Sequence, residues 1–203
     1  MKSNLPFAFF ACLVLTANVA ASQEFLGKEL TTWRDQLSSA DSQERHLAAW
    51  AIAQAGEFSD VEDHLRVAIT DPVVAYWRIQ GLGRIAAELG DKHPPDLAFF
   101  LFHSLRDESP ATRIAAADQL ARLSLHRDLK ADLAKRYLDE SLPVLIAALD
   151  EPQESAAMQA AAALAALGKK AEPARAKLQL AEKNGGEYVK RLAARALANL
   201  DKE

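Results

Sequence analysis

Five times along this chain a helix-length stretch is written mostly in small residues around one large aliphatic side chain. That recurrence limits the fold more than any other feature. The stretches are "HLAAWAIAQAG" (46–56), "IQGLGRI" (79–85, with glycine in the small positions), "IAAADQLARL" (114–123), "QAAAALAALG" (159–168) and "RLAARALANL" (191–200). Anchored on Ile52, Leu82, Leu120, Leu164 and Leu197, they recur at intervals of 30, 38, 44 and 33 residues, the range of helical-hairpin repeats. A helix so poor in large side chains buries little on its own. It is favoured where its inner face meets several backbones at once, because small residues let helix axes approach the close end of the ~8–10 Å range and alanine has the best helix propensity.

Upstream of each anchor lies a second amphipathic segment ending in a turn: "LTTWRDQLSSAD", "VEDHLRVAITDP", "LAFFLFHSLRDESP", "LPVLIAALDEP" and "ARAKLQLAEKNGGE". Their apolar residues recur at helical spacing, as in Leu142, Leu145, Ile146 and Leu149, and supply the large side chains that the alanine helices lack. Pro72, Pro110 and Pro152 are expected in the first turn of a second helix, and Pro173 at the start of the last unit's first helix, where proline's missing N–H costs nothing. No stretch shows the period-2 alternation of a strand. The expected architecture is all-α, an α-solenoid of about five hairpins at 25–56, 60–90, 95–123, 139–168 and 172–200. The stretch 124–138 is expected to be an insertion forming an extra helical turn or short helix. In "QAAAALAALG", Ala161 is expected to point inward and Ala166 outward.

Residues 1–22 stand apart. "MKSNLPFAFFACLVLTANVAAS" has a basic residue, an apolar run and then small residues, the layout of a secretory signal peptide cleaved near Ala21 or Ser22. The run is shorter than the ~20 residues a membrane span needs, so the expected mature chain has no transmembrane span and is periplasmic or extracellular. An uncleaved anchor, or a lipoprotein acylated at Cys12, are the competing readings. Cys12 is the only cysteine; its removal leaves no thiol chemistry or disulfide. Loss of the leader removes Lys2 and no acid, taking the formal charge from −4 to −5, unlike a nucleic-acid binder, whose affinity rests on Lys and Arg at phosphates.

The run from "LPVLIAALDEP" through "LAALGKKAEPARAKLQLAEKNGGEYVKRLAARALANL" resembles HEAT-repeat proteins, in particular the short bacterial PBS-lyase HEAT-like repeats related to phycobilin lyases. The resemblance extends over the expected mature chain. It implies a right-handed, armadillo-like superhelix. The family's basic residue early in the second helix is matched by Arg45, Arg113 and Lys190, with Ala75 and Ala157 in the corresponding slots of units two and four. The turn aspartate is matched by Asp41 and Asp71, and more loosely by Asp107 and Asp150. These are structural signatures and carry no catalytic residue.

Solenoids work through the face lined by one helix of each unit. Positions two before and two after each anchor are expected to point out of it: Trp50 and Gln54, Gln80 and Arg84, Asp118 and Arg122, Ala162 and Ala166, Arg195 and Asn199. A Trp among arginines fits a protein-binding hot spot. Against an enzyme, His46, His64, His93, His103 and His126 are scattered and form no HExxH, and there is no GxSxG or P-loop. "GLG" at 81–83 sits in the repeat's small slots and follows no strand. The acidic pairs Glu62/Asp63 and Asp139/Glu140 read as solvated helix ends, and Phe99, Phe100 and Phe102 as core. The expectation is a non-enzymatic, exported interaction scaffold that needs no metal or cofactor and binds a protein. For an exported scaffold that partner is expected in an envelope complex; the family resemblance alone implies a secreted hydrolase instead, since similar repeats occur fused to secreted sulfatases. The alternatives are a bilin-lyase-like or other tetrapyrrole-handling enzyme, and a HEAT-like nucleic-acid binder. Phe25, Leu26 and Leu30 form an apolar set at one end that would suit end-to-end dimerisation.

Overall fold

The computed structural model describes residues 24–56 and 71–202. The expected leader with Cys12, and most of "VEDHLRVAITDP" with Glu62, Asp63 and His64, lie outside the described residues. A short hairpin, β1 (Glu24–Phe25) and β2 (Lys28–Glu29), is followed by α1 (Leu30–Gln36), α2 (Ser42–Ala55), α3 (Pro72–Leu89), α4 (Pro95–Ser104), α5 (Pro110–Leu123), α6 (Ala131–Ala148), α7 (Glu154–Leu167), α8 (Arg175–Asn184) and α9 (Glu187–Leu200). Helices α2, α3, α5, α7 and α9 stack successively into one layer; α1, α4 and α8 pack on the layer helix that follows them, and α6 packs mainly on α5 before it and also on α7 after it. The chain is an all-α, right-handed solenoid of helical hairpins.

The alanine helices form the inner layer. Ile52, Leu82, Leu120 and Leu164 are buried and Leu197 is half-buried. Around them Ala48, Ala51, Ala115, Ala116, Ala117, Ala160 and Ala161 are completely hidden, while Leu97, Leu101, Leu145 and Leu178 of the other layer supply volume. Gly81 shows how tight the layer is: a Cβ there would stand 3.0 Å from the Ala53 Cα across the α2–α3 contact, so that the neighbouring backbone would have to give by a few tenths of an ångström. Turn chemistry starts the helices. Asp41 accepts from the Gln43 N–H at 2.8 Å and Asp71 from those of Val73 (3.0 Å) and Val74 (3.3 Å), each satisfying otherwise orphaned donors. Pro72 and Pro110 occupy the first turns of α3 and α5.

The basic residues of the repeat tie units together. Arg45 donates to the Ser39 and Ala40 carbonyls of its own turn and pairs with Asp71 of the next unit at 3.0 Å. Arg113 does the same two units later, donating to the Asp107 and Glu108 carbonyls and pairing with Glu151 at 3.5 Å. Where Ala75 fills the basic slot, Arg78 comes within the field of Asp107; burial pushes its guanidinium down and the aspartate opposes that shift. Lys190 is exposed on α9.

Several details depart from the expectation. The boundary placed between residues 138 and 139 falls inside α6, which runs unbroken through Pro143. That proline forfeits the bond to the Asp139 carbonyl, and Asp139 is exposed, where water can replace the lost donor. Pro152 stands two residues ahead of α7, and Pro173 lies in a 3₁₀ segment, Gly168–Ala174, that precedes α8. The terminal hairpin was not legible as a strand pair. Leu26 and Gly27 both adopt positive φ, 52° and 74°, as a two-residue primed turn requires. This folds Phe25 back, so that its carbonyl accepts from Trp33 Nε1 at 3.0 Å and its ring meets Trp50 at 5.6 Å. Leu30 is buried and only Leu26, 65% exposed, remains of the apolar end; the hairpin caps the array with the chain's own residues.

Ala161→Leu, at a fully hidden site, is expected to cost ~1–3 kcal/mol through overpacking, and Ala166→Leu, at an exposed site, to melt within a degree or two of the parent; thermal denaturation compares them. A second expectation concerns acid. Burial pushes the Asp71 carboxyl up, but hydrogen bonds from Arg45, the Val74 N–H, His46 and the Val73 N–H outweigh it and hold the group below the usual carboxylate range. A depressed carboxyl stabilises the fold above its unfolded pKa of about 3.9 and ceases to do so as pH falls through the folded value. Asp71→Asn should therefore lower Tm at neutral pH and flatten that part of the acid limb in a Tm-against-pH series.

Candidate functional site

A groove of about 610 Å³ opens on the inner layer, spanning α3, α5, α7 and α9. Tyr76 and Gln80 of α3 form one wall, Asp118 of α5 the base, and Met158 and Gln159 of α7 the other wall, with Gln153 and Ser155 near the α7 N-terminus and Leu192 of α9 at the far end. Within α5 Asp118 Oδ1 accepts from Arg122 Nε at 2.8 Å, and across units Gln119 Nε2 donates to Gln80 Oε1 at 2.6 Å. Gly83 makes this possible, because a Cβ there would strike the Gln119 amide at 2.0 Å. Burial pushes the Tyr76 phenol up, the Asp118 carboxylate adds to it, and a hydrogen bond with Gln80 pulls the other way; the O–H stays a donor at neutral pH.

Chemically this is a surface of neutral amides, a phenol and one carboxylate already neutralised by arginine. Such groups match the alternating N–H and C=O of an extended peptide. Among the described residues no three His, Cys, Asp or Glu side chains come together as a metal site.

The structure sorts the residues singled out above into different roles. Gln80 and Asp118, two before their anchors, line the groove, as does Ala162. Asp118 is 5% exposed rather than projecting from the face, because the flanking helices crowd over it. Trp50 is half-buried against Phe25 in the terminal cap. Gln54, Arg122, Ala166 and Arg195 are exposed. Arg84 and Asn199, each two after its anchor, turn inward to the preceding unit: Arg84 Nε donates to the Ala53 carbonyl at 3.0 Å and its other nitrogens reach Gly56 O and Glu88, and Asn199 Nδ2 donates to the Ala165 carbonyl at 2.8 Å. Ala53 and Ala165 lie in the last turns of α2 and α7, where carbonyls lack helical partners. These two side chains are staples between units, a correction to their expected outward role.

Tyr76 and Met158, six residues before Leu82 and Leu164, line the groove and were missed. An advance of four residues turns a helix by about 400°, a drift of 40°. A stripe passing through the positions six and two before the anchor has therefore rotated toward the neighbouring helix by two after it. The i, i+4 pairs Tyr76/Gln80 and Met158/Ala162 carried that signal in the sequence.

No family model matches the sequence and no curated protein is a match to it. Solved structures do resemble it. The complex of CpcE and CpcF of phycocyanin lyase from Nostoc sp. PCC7120 aligns with a TM-score of 0.55 at 20% identity, over 84% of this chain and 96% of that one. Kap121p aligns at 0.56 and 20% identity over 87% of this chain, which spans 19% of the Kap121p chain. An engineered protein aligns at 0.53 and 21% identity, covering 84% of this chain and 78% of its own. Likeness at these identities carries the fold, a HEAT/armadillo-like helical repeat.

Two arginines separate the structural role from the surface one. Arg84→Ala is expected to cost ~1–3 kcal/mol, since it strips the partner from carbonyls at the end of α2, whereas Arg195→Ala stays within about 0.5 kcal/mol of the parent; urea titration of each distinguishes them.

Proposed function

We propose that this chain is a non-enzymatic scaffold, exported from the cytoplasm, that binds a segment of a partner protein along its inner layer. The observation that carries the reading is the groove across α3, α5, α7 and α9, where Tyr76, Gln80 and Gln159 offer donors and acceptors beside the apolar Met158 and Leu192. A repeat solenoid offers such a surface because each unit adds one helix to a continuous face. The partner class, an envelope complex or a secreted hydrolase, and the export step rest on the leader-like residues 1–22 and on family resemblance. A bilin-handling activity is the second reading; it has the fold likeness to the phycocyanin lyase subunits behind it, and incubation with a bilin followed by absorbance decides it.

The scaffold reading is tested by placing a photo-crosslinking residue at Tyr76 or Gln159, and as control at Glu182 on α8, in the full chain expressed in its own cell. The two groove positions should capture one common protein that Glu182 does not. Equal capture from all three positions, or none from the groove, refutes the reading. N-terminal sequencing of the purified protein checks export separately, with a start at Ser22 or Gln23 expected.

A further inference from the structure

The outer layer carries a second cavity of about 600 Å³ between α4 and α6, unlike the inner groove in chemistry. Its α4 wall follows helical spacing: Phe99, Phe102, His103 and, just past the helix end, Arg106; α6 contributes Arg136 and Tyr137. Tyr137 is fully buried and its ring meets Phe102 edge-on at 5.4 Å, while the Arg136 guanidinium lies over the other ring, 4.6 Å from the Phe102 centroid. The Tyr137 hydroxyl is 2.8 Å from His93 Nε2, and His93 Nδ1 is 3.2 Å from the Pro94 carbonyl. With the proton on Nδ1, the imidazole donates to Pro94 and accepts from the phenol. Both groups are thus committed to each other and fix the floor.

What remains open to a visitor is an aromatic ring and two cations. Phe99 is 62% exposed, contrary to its expected place in the core. Among the described residues neither Arg106 nor Arg136 makes an ion pair, although the chain carries a surplus of acids, 28 against 24 basic residues; the one carboxylate on the lining is Asp91. Guanidinium groups left without a carboxylate beside exposed aromatic surface suit a ligand that supplies both complements, a planar ring and an anionic group. The volume falls in the range of small-molecule sites, about 300–1,000 Å³.

We infer that the α4–α6 cavity is a binding site for a small aromatic carboxylate, its ring held against Phe99 and its carboxylate by Arg106 and Arg136. The site lies on the opposite helix layer from the inner groove and does not depend on the scaffold reading.

The test uses 2-naphthoate as probe and its neutral amide, 2-naphthamide, as counterpart, titrated into the uniformly ¹⁵N-labelled protein and followed by amide shifts. Saturable shifts confined to α4 and α6 are expected with 2-naphthoate, with the amide binding at least about tenfold more weakly. The paired Arg106→Gln, Arg136→Gln variant should lose about tenfold or more in naphthoate affinity, Phe99→Ser should weaken both probes, and Lys135→Gln, an exposed neighbour paired with Asp139, should bind as the parent does. Equal affinity for the acid and the amide, unchanged naphthoate binding in the arginine pair, or no saturation by the parent protein would overturn the assignment. The comparison of acid with amide is made on the unaltered protein and stands even if a variant misfolds.

Discussion

Each interior second helix must pack backbone against backbone on two sides at once, and the rest of the molecule follows from that closeness. At Gly81 even a methyl group would stand 3.0 Å from the Ala53 Cα of the preceding helix, which is why glycine and alanine fill the inner layer. Since those residues bury little, the outer helices bring Leu97, Leu101, Leu145 and Leu178 into the space between layers. Close approach also brings the last turn of one helix within reach of the next. Arg84 and Asn199 use that proximity to satisfy carbonyls of α2 and α7 that their own helices leave open.

The turns add a second, polar coupling. Arg45 and Arg113 each hold two carbonyls of their own turn and one carboxylate of the following unit. Partly exposed ion pairs are individually worth about 0–1 kcal/mol. Here their geometric effect matters more, since one side chain fixes the shape of a turn and the register of the next hairpin. A solenoid whose stability is a sum of neighbouring interfaces gains from such a contact at each junction.

The two layers consequently present different chemistry. On the inner layer the buried stripe is small, so polar side chains lie close above it: the Gln80 and Gln119 amides meet across adjacent helices, and Asp118 pairs with Arg122 on its own helix. On the outer layer the helices are spaced by larger side chains, and between α4 and α6 the gap is walled by aromatic rings and arginine instead. The same division of labour that fills the core therefore sets what each face can recognise.

The sequence by itself determined the class of fold, because alanine-rich stretches around one aliphatic, recurring at hairpin intervals, are stable only when stacked. It also fixed the anchors and the aspartate-led starts of α2 and α3, which are local effects of side chain on backbone. The tertiary structure decided what lies between units. Whether Arg84 faces a partner or the end of α2 depends on the approach of another helix, and a linear pattern does not contain that distance. Trp50 was claimed by a hairpin whose primed turn rests on Leu26, a residue that gives no such signal, and Phe99 was exposed because α6, extended back to Ala131 across Pro143, packs beside Phe102 and leaves Phe99 uncovered. Periodicity tells which side of a helix is apolar; only the neighbours, and the 40° drift per four residues that turns a stripe toward or away from them, decide which polar side chains become contacts within the array and which remain for a partner.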